Sequence, residues 1–397
     1  MMDVSFEKDP AFKSLKDDVK TMRRMELALL KSKQLDQTAN MELAGREFQY
    51  IDCNKSFWNP ERFSLLYGTW IWNQASEYQK TILNQLYWVA YYSQIISAEI
   101  ATIFFNQTCA ASLYGIEDFR IVCDTLDLES AQERAHINAF KNVSEELEKT
   151  LFGQRIFTYP MRTPFVKTMM YSDLNRVQQW IRTQQLRAYS VLSANSAFIG
   201  CQYFTVRGLR TLNGKIVQHQ LSKFYSGMEN PDLAPIPAKI SYYHFVDESF
   251  HFNTSTVISH DVVNSLKAPN AWESHIANMT LLGCQKDHFN FSTAINGIFW
   301  FDPALYEPVY KIFRSDVFGM SRDEALTAIY KSFCEESEGA VGSAKTHAEA
   351  VDSYKAYLAD FKYITKKNKE MQLMSQNNLE RHLTTNRKFF ETFKKNI

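Results

Sequence analysis

Glycine and proline are scarce, at 13 and 10 in 397 residues. Residues 69–114, 116–152, 165–199 and 238–268 contain neither. Each stretch is long enough for a helix of about 45 Å or more at 1.5 Å per residue. No segment of similar length alternates apolar and polar residues, so little sheet is expected. The six cysteines (Cys53, Cys109, Cys123, Cys201, Cys284 and Cys334) are scattered and form no CxxC pair. That excludes a zinc ribbon or a disulfide framework and suits reduced thiols. A charge excess is missing too: the formal net charge is +0, which argues against nucleic acid or an anionic membrane as the main partner. There is no Gly-rich phosphate loop, GxSxG elbow, dinucleotide fingerprint, flavin motif or iron–sulfur motif. The opening "MMDVSFEKDPAFKSLKDD" is charged throughout and has no apolar signal core, so a cytoplasmic protein is expected.

What is present is a globular composition, 45% hydrophobic and 14% aromatic. The run "LYWVAYYSQIISAEIATIFF", residues 86–105, is long and apolar, but Gln94 and Glu99 lie inside it and nothing else in the chain matches it. It reads as a buried core helix, not a membrane span. Helix starts are marked by Ser76 with Gln79 as a capping box, by Ser172 and Asp173, and by Pro237 in a first turn. Four long helices with apolar faces predict an all-α protein built on a four-helix bundle. One domain spans residues 1–397. Its core covers about 70–282, with an N-terminal helical arm before it and amphipathic helices over 323–397 packed outside. Residues 207–236, with three glycines and two prolines, read as a crossover. Residues 283–322 read as an aromatic-rich loop.

The chemistry lies in "SYYHFVDESFH", residues 241–251. On a helix, position i+4 lies about 40° from i, and i+7 about 20° back the other way. His244, Glu248 and His251 therefore share one face over two turns of an otherwise apolar helix. Burying such groups unpaired costs several kcal/mol each, and a metal cation is the simplest common partner for His and Glu. Isolated ExxH spacings also occur by chance. Here a second one, Glu133-x-x-His136, sits on another predicted helix, and Glu99 sits at the centre of a third, flanked by Ile95, Ala98, Thr102 and Phe105. A Glu and two ExxH motifs on separate long helices form nearly the set by which helix bundles hold two metal ions.

The order Glu99, Glu133-x-x-His136, then His244-x-x-x-Glu248-x-x-His251 with Asp247 before the Glu, resembles the ferritin-like diiron arylamine N-oxygenases, the p-aminobenzoate N-oxygenase family. The similarity covers roughly residues 70–265. It implies a ferritin-like bundle whose two iron ions activate O2 and oxidise an amine, with electrons from an external donor. One feature departs from that pattern: the third helix carries no Glu. Asn195 is the candidate for the vacant ligand position, with Gln202, Glu229 or water as substitutes; an amide oxygen is a neutral, weak iron ligand. Tyr91 and Tyr92 either line a substrate pocket or pack in the core. The expected activity is N-oxygenation of a small amine. C–H hydroxylation or desaturation, or non-catalytic metal binding, are the alternatives. A small-molecule substrate is the expected partner, and a homodimer is compatible with the sequence.

Overall fold

The computed structural model describes residues 14–157, 176–289 and 305–397. The Ser172 and Asp173 cap, the Met169–Met170 pair and the aromatic cluster at 298–301 lie outside the described residues. Among those described there is no strand, and the helices are α1 Val19–Gln34, α2 Thr38–Glu47, α3 Trp70–Gln74, α4 Glu77–Leu113, α5 Arg120–Phe152, α6 Arg176–Asn195, α7 Ala197–Ser226, α8 Ile236–His260, α9 Ala271–Asp287, α10 Tyr306–Arg314, α11 Arg322–Phe333, α12 Glu338–Leu358, α13 Lys366–Lys369 and α14 Leu379–Asn396. The all-α, ferritin-like bundle expected from the sequence is what forms.

The bundle consists of α4, α5, α7 and α8. α4 pairs most extensively with α5, and α7 with α8. α4 opens on the Ser76–Gln79 capping box, and its 37 residues reach about 55 Å. α5 ends at Gly153 in the left-handed region, φ 66°, where a residue without Cβ costs nothing. α8 starts with proline in its first turn. α1 and α2 lie across α5 and α8, and α6 packs on α4 and α7. No helix of the described residues is long and apolar enough to cross a membrane. All six cysteines are buried, and none is in a disulfide.

Two apolar clusters fill the bundle, one toward each end. One takes residues 82–96 of α4, 139–147 of α5, 217–221 of α7 and Ile240 of α8. The other takes residues 105–113 of α4, 122–126 of α5, 198–209 of α7 and 257–258 of α8. Between them the apolar series stops on all four helices at about the same level, and that gap is where the polar groups collect.

The third bundle helix differs from the sequence expectation. The Gly-free stretch 165–199 does not supply it. The helix breaks at Ser196, which caps a new helix by accepting from the Ile199 amide, and α7 then runs through Gly200, Gly208 and Gly214 to Ser226. Residues 207–226 are therefore helix, not crossover. These glycines are tolerated because two of them mark close approaches. A Cβ on Gly200 would lie 2.7 Å from Ser112 Oγ, and one on Gly208 would collide with the Tyr357 phenol.

A comparable approach joins the arm to the bundle. A Cβ on Gly45 of α2 would lie 2.9 Å from the Ala139 Cα of α5, whereas one on Gly214 would meet nothing. Gly45→Val is expected to lower unfolding free energy by about 1–3 kcal/mol, and Gly214→Ala to leave it unchanged or raise it by up to about 1 kcal/mol. Urea denaturation followed by circular dichroism measures both.

Candidate metal centre

Each bundle helix sends titratable groups into the gap. α4 contributes Glu99, α5 contributes Glu129, Glu133 and His136, α8 contributes His244, Asp247, Glu248 and His251, and α7 contributes Arg207; all are buried. Glu99, His136, His244 and Glu248 offer ligand atoms within 4.8 Å of one another, and so do Glu129, Glu133 and His251. The six residues Glu99, Glu133, His136, His244, Glu248 and His251 singled out in the sequence thus meet in space.

Two carboxylates link the groups. Glu133 Oε2 lies 3.2 Å from His136 Nδ1 in the first group, and its Oε1 lies 3.5 Å from His251 Nδ1 in the second. Glu248 Oε1 lies 2.8 Å from His251 Nδ1 and 3.6 Å from His244 Nε2. Glu99 Oε1 approaches His244 Nε2 at 3.2 Å and His136 Nδ1 at 3.6 Å.

The histidines are oriented from behind. His136 Nε2–H donates to Asp247 Oδ2 at 3.1 Å, and Asp247 Oδ1 accepts from the Gln37 amide at 2.9 Å. His251 Nε2–H donates to Gln132 Oε1 at 2.9 Å, which also accepts from Ser32 Oγ at 3.3 Å. Both imidazoles therefore turn Nδ1 toward the carboxylates, the pattern by which outer hydrogen bonds fix metal-binding histidines. The N-terminal arm holds both supports.

Electrostatics point the same way. Burial, reinforced by Glu133 and Glu248, pushes the Glu99 pKa well above the usual carboxylate range, and burial with Glu248 raises Glu133. For His136, burial opposes the charged form, but Asp247, Glu133 and Glu99 outweigh it and lift the pKa well above the ordinary value. His251, likewise opposed by burial, is lifted by Glu248, Glu129 and Glu133 to about 9. Burial pushes His244 down to about 3. The carboxylates thus draw protons into the site. Glu99 Oε2 and Glu129 Oε2 are buried with no hydrogen-bond partner, a costly arrangement that a cation would relieve. The donor set, mixed imidazole and carboxylate, fits transition-metal ions.

Asn195 is not part of this constellation. It ends α6, is exposed, and donates its amide to the Val191 carbonyl at 2.8 Å. Once the helix breaks at Ser196, the position expected to face the metals lies outside the bundle. Glu229 is exposed beyond the end of α7. Gln202 is fully buried, but no hydrogen bond joins it to the donors. Where the third helix was expected to offer a ligand, α7 presents Arg207, which donates to Glu129 and places Nη2 3.6 Å from Glu133 Oε1. Glu129 is the residue that the ExxH reading missed. Its signal was there: it lies four before Glu133, on the same face of α5.

Tyr91 and Tyr92 pack in the core. Tyr92 donates to Ser241 Oγ at 3.0 Å and stacks among Trp88, Phe140 and the edge of His244. Neither lines the cavity that reaches the donors. That cavity, of about 470 Å³, has Glu99, Glu133, Glu248 and Arg207 at its inner end, and Ile95, Ala98, Thr102, Phe105, Leu186, Leu192, Val206 and Ile276 along its walls. Its lining also includes Trp272 and Met279, 60% and 44% exposed, so it connects the buried donors with the surface. Of the six remaining histidines, His347 and His382 are buried and hydrogen-bonded to Met374 and Asn386, and His275 lines the cavity beside Trp272.

Addition of a divalent transition metal to metal-depleted protein is expected to raise Tm, by the equivalent of about 2.7 kcal/mol at a hundredfold excess over Kd. Glu248→Ala or His251→Ala should remove most of that shift and keep most of the helical circular dichroism. Because His251 is raised to about 9 and must be neutral to bind metal, uptake at pH 7 releases protons. Apparent affinity should therefore rise from pH 6 to pH 8, by about tenfold per unit for each proton released. Calorimetry in buffers of different ionisation enthalpy counts those protons.

No curated protein and no solved structure matches this chain. The sequence model of one family does, over residues 20–394, and it is described as "Acyl halogenase CylC-like", not as an arylamine N-oxygenase. The match takes in every donor residue together with the N-terminal arm and the C-terminal helices, and the chain belongs to the CylC-like acyl halogenase family.

Proposed function

We propose that this protein is an O2-dependent non-haem diiron enzyme that halogenates a carbon of an acyl chain. The observation that carries the reading is the cavity: mainly apolar walls, interrupted by Gln185, Arg210 and Gln218, lead from the surface to Glu99, Glu133 and Glu248. A pocket of this kind suits an apolar substrate, whereas metal storage calls for a polar channel. The family's description supplies the acyl substrate class and the halogen. N-oxygenation, which the motif order resembles, is the competing outcome on the same donors.

Glu99, Glu129, Glu133, His136, His244, Glu248 and His251 would hold the metals. Two iron ions, when bound, supply the redox chemistry that reduces O2. The protein's part is positioning and exclusion of water. Glu133 and Glu248, which reach toward both groups, would hold metal from either side, and Asp247 and Gln132 keep His136 and His251 turned inward. Ala98, Ala101 and Thr102 leave the space beside Glu99 into which a chain can extend. In the overall reaction a C–H bond breaks and a carbon–halogen bond forms from halide, while O2 becomes two waters. That balance takes three protons and two electrons from an external donor, which the chain itself does not provide.

The test is reconstitution with iron under anaerobic conditions, followed by O2, a reductant, chloride or bromide, and parallel panels of fatty-acyl thioesters and arylamines, read by mass spectrometry. A halogen isotope pattern on the acyl chain is the expected result. Products oxidised only at nitrogen, or carrying oxygen but never halogen, overturn the halogenation reading. Ala98→Phe, which fills the cavity beside Glu99, is expected to lower turnover by about a hundredfold (~2.7 kcal/mol in the barrier) and to leave iron content unchanged. Full turnover in this variant would place the substrate elsewhere.

A further inference from the structure

The two donor groups differ in one respect that their ligands alone do not reveal. Among the described residues, no lysine or arginine pairs with Glu99 or Glu248; their ionic neighbours are histidines. The second group has a permanent cation against it. Arg207, 5% exposed, donates to Glu129 Oε1 and sits 3.6 Å from Glu133 Oε1. The same Glu129 oxygen also accepts from Asn106 Nδ2 at 3.2 Å. A guanidinium cannot give up its proton in a protein and holds carboxylates in a fixed fork. It therefore cancels one of the two negative charges that Glu129 and Glu133 offer a metal, and it repels an incoming cation at short range through a medium of low polarity. Glu129 Oε2 remains buried and unpartnered, so the position is weakened, not abolished.

We propose that Arg207 is a built-in competitor for the second metal position, so that the protein takes up two divalent cations unequally: tightly at Glu99, His136, His244 and Glu248, and weakly at Glu129, Glu133 and His251. The inference rests on the metal-centre reading and adds an order of loading to it. The first cation enters a group that Arg207 reaches only at longer range, through Glu248, and with which it forms no ion pair. The second must share Glu129 with Arg207 or draw it from the guanidinium.

The experiment is anaerobic calorimetric titration of metal-depleted, full-length protein with Co(II), with visible absorption recorded at each addition. Wild type should show two steps, the second weaker by about tenfold or more. Arg207→Gln should tighten the second step to within about threefold of the first, while Arg207→Lys, which keeps the charge, should retain two well-separated steps. A single step with two equivalent ions in wild type overturns the inference. So does an Arg207→Gln protein whose second step is unchanged or weaker, since Arg207 would then be positioning Glu129 for the metal. If Arg207→Gln does not fold, the wild-type and Arg207→Lys isotherms decide. Absence of any bound cobalt would instead remove the metal-centre reading itself.

Discussion

The structure is organised around the cost of placing Glu99, Glu129, Glu133, Asp247 and Glu248 in one buried layer. Each ionised carboxylate withdrawn from water costs several kcal/mol unless it is paired, and like charges so close resist joint ionisation. The apolar clusters on either side commit the helices to this arrangement, since about 25 cal/mol per Å² of buried apolar surface drives them together, while the cavity links the polar layer to the surface. Burial is what chiefly raises the Glu99 and Glu133 pKa values, the crowded carboxylates raise those of His136 and His251 against burial, and the orphaned carboxylate oxygens mark a layer short of positive charge. A pair of divalent ions would supply that charge.

The layer is held by parts of the chain remote from the donors. Asp247 sits on the same helix as His244 and Glu248 but serves His136 on α5, and it is itself fixed by the Gln37 amide between α1 and α2. Ser32 supports Gln132 in the same manner. The N-terminal arm is thus part of the site's geometry, and the close approach of Gly45 to Ala139 is what lets it lie near enough. On the opposite side α7 brings in Arg207, a cation against Glu129 and Glu133. Both features make the two donor groups unequal in surroundings while Glu133 and Glu248 keep them joined.

Much of this was legible in the primary sequence, because helical periodicity is local. Spacings of three, four and seven residues place His244, Glu248 and His251 on one face whatever the rest of the chain does, and the same rule links Glu133 to His136. Glu129 was legible by that rule too, but it falls outside the ExxH pattern. The third helix was misjudged because glycine was treated as punctuation. Gly200 and Gly208 lie inside a helix, where neighbours press against them, and that pressure comes from residues far away in sequence. Asn195 was placed wrongly for the same reason: the break at Ser196 is a local cap whose effect on which helix enters the bundle is a tertiary outcome.

The sequence by itself determined the helical class, the buried helix at 86–105 and the histidine and carboxylate faces, since each follows from a repeat within a few turns. Only the tertiary structure decided that the faces meet in two linked groups, that Arg207 opposes Glu129, that Tyr92 belongs to the core, and that a cavity reaches Glu99 from the far side. Those facts depend on the rotation and sliding of whole helices against one another. Packing of two apolar clusters sets them, and no local spacing encodes them.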